Sequence, residues 1–409
     1  MAIGADPRPK RFRLLVVNGY EVAPLTSGGQ RRIRDVYAAL VPFLDVELVT
    51  LARNPLHGGI RGLAPGLVEF SVPRSWPQHE AAARLTSELG ERAEHAALPQ
   101  LAGLNPAFEE ALRLRLRRAD AVAVCHPYLF EYVASLWSGP IIYHSHDVEA
   151  IVQRDMIPHT PQGDALYEAA VAAERSCVER AASILAMSRE DALAYCERYA
   201  IAVEKCFVLP PSFDMRDAVF TTPQMRREAK RRWTEEPVPF AIFMGSTWGP
   251  NLEGVKEILT LAARMPRLRF VVLGDVRAAF PREYRFPANV VLTGYVPEEL
   301  KTQLLRAADV ALNPTCSRSG VNMKMGEYFA AGTPVVTTPS GARGLDISQE
   351  HAVIVPPADF ARAIEDVLSD AEAADRRARA AFEHARERFD AAKNARALAA
   401  HLTEALAVG

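Results

Sequence analysis

The sequence predicts an α/β protein built from two parallel-sheet domains. Short apolar runs alternate with longer segments of helical spacing along nearly the whole chain, the pattern of parallel strands covered by helices on both faces. A proline-broken stretch at residues 209–214 interrupts that rhythm near the middle. The length of 409 residues also exceeds one ordinary domain, at about 150 residues each. Hydrophobic residues make up 49% and charged residues 24%, enough apolar surface for more than one core, so wholesale disorder is excluded. With 48 Lys+Arg against 50 Asp+Glu the net charge is -2, which excludes a generally basic nucleic-acid binder and an acidic tail.

Taken in order, residues 1–11 are rich in Pro and Arg and are expected to be flexible. The apolar run at 14–17 is far shorter than a signal core or a span of roughly 20 residues, which points to a cytoplasmic chain with at most peripheral membrane contact. Strands are expected at 12–18, 46–51, 67–72, 121–125, 141–144, 183–187 and 206–209, with helices such as 30–40 and 165–180 between them. These form a first domain over residues 12–210. A second domain, 211–389, carries strands at 240–244, 270–273, 290–292, 310–313, 334–337 and 353–355. Helix is expected from there almost to the end, with a break at Phe389-Asp390. The five cysteines, Cys125, Cys177, Cys196, Cys206 and Cys316, form no CxxC pair and read as reduced, mostly buried thiols.

Three stretches could carry chemistry. Gly28-Gly29 lies between the first strand and its helix, where backbone N–H groups can approach an anion, although the spacing is not GxGxxG. A turn followed by a solvated Gln30-Arg31-Arg32 helix start is the plainer account. The strand at 141–144 runs into His144, His146, Asp147 and Glu149, polar groups at the carboxyl end of a parallel strand. They suit a sugar hydroxyl or a proton shuttle, and equally suit ordinary strand-end hydrogen bonding. The two histidines lack a third metal ligand at a telling spacing. The segment from Asp309 to Thr337 reads as one βαβ unit. Its Ser319-Gly320 turn could cradle a diphosphate. Lys324 stands in the first helical turn, where a cation is disfavoured unless an anion lies beside it. Glu327, on the same helical face, is suited to a bidentate bond with ribose hydroxyls.

In this order the stretches resemble glycosyltransferase family 4, through Gly28-Gly29, His146-Asp147, Pro210-Pro-Ser-Phe-Asp214 and the long segment Ser319-Gly-Val-Asn-Met-Lys-Met-Gly-Glu327. The resemblance implies a GT-B arrangement of two Rossmann-like domains facing a central cleft, with the C-terminal helix, 390–409, crossing back to the first domain. It implies a retaining hexosyltransferase that needs no metal and no cofactor. A nucleotide diphosphate sugar, UDP ahead of GDP, would be the donor, and a glycan, lipid-linked sugar or small natural product the acceptor. Nucleic acid is not an expected partner.

The same resemblance implies the site. His146 would be the catalytic residue contacting the sugar, and Gly28 and Gly29 would approach phosphate or acceptor. Glu327 would bind ribose. Gly320, Val321, Asn322, Met323 and Lys324 would bind the diphosphate, with Ser319, Ser246 and Arg343 nearby, and Tyr295 and Val296 would contact the base. Three positions depart from the family. Ser319 replaces the first acid of the Glu-x7-Glu pair, and Ser246 and Asn251 stand where Arg and Lys are usual. These departures also motivate a non-catalytic nucleotide-sugar sensor or scaffold as the alternative, beside a GT-B epimerase or phosphorylase.

Overall fold

Successive residues of the first strand, β1 (Arg13–Asn18), pack into different apolar clusters. Leu14 and Val16 enter one and Leu15 and Val17 the other, so both faces are covered. A strand buried on both sides reads as a continuous apolar run, and this is why Leu14-Leu-Val-Val17 shows no alternation. The computed structural model describes residues 11–216, 218–233, 238–316 and 320–405, so most of the N-terminal segment expected to be flexible lies outside the described residues. Two compact units divide the chain: Met1–Leu209 with Ala391–Gly409, and Pro210–Asp390. The fold is thus α/β with two Rossmann-like domains.

The first unit holds an eight-stranded sheet. After β1 come β2 (Asp45–Leu51), β3 (Gly59–Ala64), β4 (Leu67–Val72), β5 (Ala121–Cys125), β6 (Ile141–His144), β7 (Ser183–Ala186) and β8 (Cys206–Val208), in the spatial order β3-β4-β2-β1-β5-β6-β7-β8. All neighbours are parallel except β3, which runs antiparallel to β4 at the sheet edge. Sequence reading does not assign β3. Its Gly59-Ile-Arg-Gly-Leu-Ala64 has two glycines and no buried face, and Ile60 is 72% exposed. The strand order reverses between β1 and β5, and ligands of such sheets bind beyond the carboxyl ends of the strands at that reversal.

The second unit holds β9 (Phe240–Met244), β10 (Arg269–Leu273), β11 (Val290–Gly294), β12 (Val310–Asn313), β13 (Val335–Thr337) and β14 (Val353–Ile354), all parallel, in the order β11-β10-β9-β12-β13-β14. Here the reversal falls between β9 and β12. The Tyr328 hydroxyl ties the two strands together, accepting from Met244 N at 2.9 Å and donating to Leu312 O at 3.3 Å.

The long helical stretch expected up to residue 389 is in fact two helices, Phe360–Ser369 and Ala371–Arg388. Asp370 separates them, and its side chain caps the second by accepting from Ala373 N at 2.9 Å. The last helix, Ala391–Ala405, belongs to the first unit. Ala395, Leu398, Ala399 and Leu402 are buried in one cluster with Ile33, Val36, Tyr37 and Leu40 of the helix Gly28–Leu40. His401 Nε2 also lies 2.8 Å from Ser183 Oγ. Leu406, four residues beyond Leu402 in the same apolar spacing, lies outside the described residues. Among the described residues no helix is long and apolar enough to cross a membrane.

Candidate functional site

In the first unit the loop after β1 leads into a helix whose start is fixed by a capping box. Ser27 Oγ accepts from Gln30 N, and Gln30 Oε1 accepts from Ser27 N at 2.9 Å and Thr26 N at 2.8 Å. Gln30 and Arg32 are therefore not solvated as the plainer account expects. Both are buried, and Arg32 Nη2 donates to Leu209 O at 2.9 Å. Gly28 stays exposed at the first helical turn. Gly29 is constrained by its neighbours, since a Cβ there would stand 2.9 Å from Tyr20 Oη and 3.5 Å from His146 Nδ1. The fold thus brings Gly29 and His146 together, 117 positions apart in sequence by their numbers.

His146 is buried, and its Nε2 has no hydrogen-bond partner among the described residues. Burial, with His126, His144 and Arg32 close by, holds its pKa well below the usual histidine range, so it is a neutral imidazole at pH 7. His144 is held down by burial in the same way, and its Nδ1 lies 2.9 Å from the Tyr37 hydroxyl. Four imidazoles form a continuous row, with ring centroids 4.5 Å apart for His95–His126, 4.4 Å for His126–His146 and 4.9 Å for His144–His146.

Sequence reading misses Tyr20 and His126. His126 directly follows β5 in Cys125-His126-Pro127, and the strand-end logic applied to His144 and His146 would have singled it out. Its Nδ1 meets Glu149 Oε1 at 2.8 Å and its Nε2 meets Tyr20 Oη at 3.2 Å. The fold also supplies a third residue beside the histidine pair. Cys125, His144 and His146 place one ligand atom each within 4.8 Å of one another, the spacing of a soft metal site. Two features oppose a cation there. Tyr37 engages His144 Nδ1, and the buried Arg32 guanidinium lies near enough to depress both histidines.

In the second unit the short helix Lys324–Ala330 follows the loop after β12. Its approach to the rest of the unit depends on Gly326, where a Cβ would stand 2.0 Å from Phe213 Cε2. Lys324 reaches back across the strand reversal to the first turn of the helix Gly249–Arg264, which follows β9. Its Nζ donates to Asn251 Oδ1 at 2.7 Å and sits 4.2 Å from the centroid of the Phe243 ring. No carboxylate among the described residues pairs with it, and burial pushes its pKa down to about 7. Asn251 in turn donates to Ser246 Oγ at 3.3 Å, so Ser246 and Asn251, which stand where the resemblance leads one to expect Arg and Lys, form one short chain behind this lysine.

Glu327 lies one turn on, with its Oε2 paired to Lys301 Nζ; Lys301 also lies 2.6 Å from Glu298 Oε1. Lys301 is a partner that sequence reading does not find, because it comes from the helix Glu298–Ala307. Arg343 Nη1 donates to Gly320 O at 3.0 Å and fixes the end of the Gly320 loop. Val321 packs on the apolar cluster around Tyr328, while Asn322 and Met323 lead into the helix. Val296 packs on that cluster as well, and Tyr295 is 65% exposed. Ser319 lies outside the described residues.

The family model of Glycosyl transferases group 1 matches residues 239–370. A D-inositol 3-phosphate glycosyltransferase of Paenarthrobacter aurescens (strain TC1) is 28% identical over 316 residues, covering 70% of this chain and 74% of that protein. Among solved structures, the sucrose-phosphate synthase of Thermosynechococcus elongatus superposes with a TM-score of 0.74 at 16% identity, covering 98% of this chain and 100% of that one. The Anabaena protein HepE, in complex with UDP, superposes with a TM-score of 0.69 at 16% identity, covering 96% and 100%. At such identities the structures establish likeness of fold, and that fold is the two-domain GT-B class.

Proposed function

We propose that this chain, a group 1 glycosyltransferase with the GT-B fold, moves a hexosyl group from a UDP-sugar to an acceptor hydroxyl with retention at the anomeric carbon. The observation that carries this reading is Lys324, a cation drawn out of water at the strand reversal with an amide and an aromatic ring for company and no carboxylate among the described residues. Such a site is completed by an anion, and a nucleotide diphosphate supplies one. The Gly320–Met323 backbone and Arg343 would share the diphosphate, Glu327 would take the ribose hydroxyls, and Tyr295 and Val296 the base. UDP is preferred because HepE is described in complexes with UDP and with UDP-glucose.

In this reading the first unit supplies the acceptor side, with His146 touching the transferring sugar and Gly28-Gly29 the acceptor or phosphate. The bond from the anomeric carbon to the diphosphate breaks as the bond to the acceptor oxygen forms. The acceptor proton passes to the departing phosphate oxygen, so neither a protein nucleophile nor a metal is needed. Calorimetry with UDP and GDP, followed by release of nucleotide from UDP- and GDP-sugars, tests the reading. Glu327→Ala is expected to weaken UDP by about 1.5–3 kcal/mol, the worth of hydrogen bonds to a charged group. Tight binding without turnover would favour the sensor reading, and no binding of either nucleotide would overturn both.

A further inference from the structure

In the helix Lys324–Ala330, Met325, Gly326, Tyr328 and Phe329 are buried, which leaves Lys324 and Glu327 together on the less buried side. An amine and a carboxylate three residues apart on one helical face are within reach of an ion pair. That pair is not formed. Lys324 Nζ turns instead to Asn251 Oδ1 at 2.7 Å and to the Phe243 ring, while Glu327 Oε2 pairs with Lys301 Nζ. Desolvation alone lowers the Lys324 pKa, and no neighbouring charge contributes to it, Glu327 included.

The competitor for Glu327 comes from another element. Lys301 lies on the helix Glu298–Ala307 and is only 8% exposed. Its other partner, Glu298 at 2.6 Å, has a largely exposed side chain, so that contact is screened and weak. The helix Ala371–Arg388 packs on the same side chains through Ala378, Ala381, Phe382 and Ala385 and brings no charge to them. Removing Lys301 would thus leave Glu327 with an uncompensated charge and Lys324 as the cation on its own face.

We propose that Lys301 is a positioning residue that holds the Glu327 carboxylate off Lys324, so that the Lys324 ammonium reaches a diphosphate without first having to break an internal ion pair. This rests on the donor-site reading above. Lys324 and Glu327 would touch the nucleotide, whereas Lys301 acts only through Glu327.

Inorganic pyrophosphate carries the diphosphate charge without a ribose, so it reads Lys324 apart from the ribose contact of Glu327. In calorimetry at pH 7, Lys301→Met is expected to weaken pyrophosphate at least about tenfold, and the double variant Lys301→Met with Glu327→Gln to recover to within about threefold of the wild type. The titration of the Lys324 side chain, followed by NMR with labelled lysine and assigned through Lys324→Met, should move up by about one pH unit or more in Lys301→Met and stay in place in Glu327→Gln. Wild-type pyrophosphate affinity in a folded Lys301→Met, or no recovery in the double variant, would overturn this role alone. Should Lys301→Met not fold, Glu327→Gln decides: a downward move of the Lys324 titration there would show that Glu327 already acts on the amine, and would equally overturn it. A wild type that binds neither pyrophosphate nor UDP would overturn the donor-site reading and this role with it.

Discussion

On the proposed function, Lys324 sets the pH behaviour of nucleotide binding. Its pKa of about 7 in the free protein lies below the ordinary lysine value because burial disfavours the charged form. A bound diphosphate favours that form, so binding takes up a proton wherever the free lysine is neutral. Affinity for a UDP-sugar is therefore expected to fall as pH rises above about 7, by up to about tenfold per unit, and Lys324→Met should both weaken binding and flatten this slope. Calorimetry between pH 7 and pH 9 in buffers of different ionisation enthalpy would measure the proton directly. His146 behaves differently, since burial keeps it neutral throughout this range. His146→Ala should cut kcat by about a hundredfold while the UDP Kd moves by less than about twofold, as expected for a group that touches the sugar and not the nucleotide. A fall in thermal stability with kcat retained would make it a structural residue of the strand end.

At the scale of an element, the helix Glu149–Met156 has no side-chain cap of its own and borrows one from the helix Pro161–Arg180. Glu174 accepts from Glu149 N at 2.7 Å and Ala150 N at 2.9 Å, and takes the Tyr199 hydroxyl at 2.6 Å. Burial raises its pKa from 4.5 to about 7, against these favourable bonds. A raised folded-state pKa contributes stability that is complete below the unfolded value and lost as pH rises through the folded one. Glu174 should thus cost up to roughly 3 kcal/mol between about pH 4.5 and pH 7. Urea unfolding at pH 5 and pH 8 should show a smaller pH-dependent loss in Glu174→Gln than in the wild type. None of this capping was legible in the sequence, because the donors and the acceptor are 24 and 25 residues apart and meet only through helix packing. The buried strands were legible, since runs such as Ala121-Val-Ala-Val-Cys125 satisfy two apolar faces at once. The edge strand β3 has no such face and left no signal. Likewise Lys324 and Glu327 could be read from a local pattern, whereas Asn251 and Lys301 become their partners only through strand order.

For the whole molecule, the final helix decides where the first unit ends. A chain stopped after Asp390 would leave Ile33, Val36 and Leu40 without the cover of Leu398 and Leu402. Such a protein is expected to bind a hydrophobic dye, to aggregate and to lose transfer, while the second unit, Pro210–Asp390, still binds UDP in calorimetry. Wild-type solubility and activity in the truncated chain would contradict this account of the helix. The same connectivity orders events during synthesis. The helix Gly28–Leu40 leaves the ribosome long before its covering partner, the helix Ala391–Ala405. At ~5–20 residues per second, the roughly 350 residues between them take on the order of half a minute. For that interval the apolar face of Ile33, Val36, Tyr37 and Leu40 waits for its cover, so slow translation anywhere between the two helices is expected to lengthen its exposure and to raise aggregation of the nascent chain.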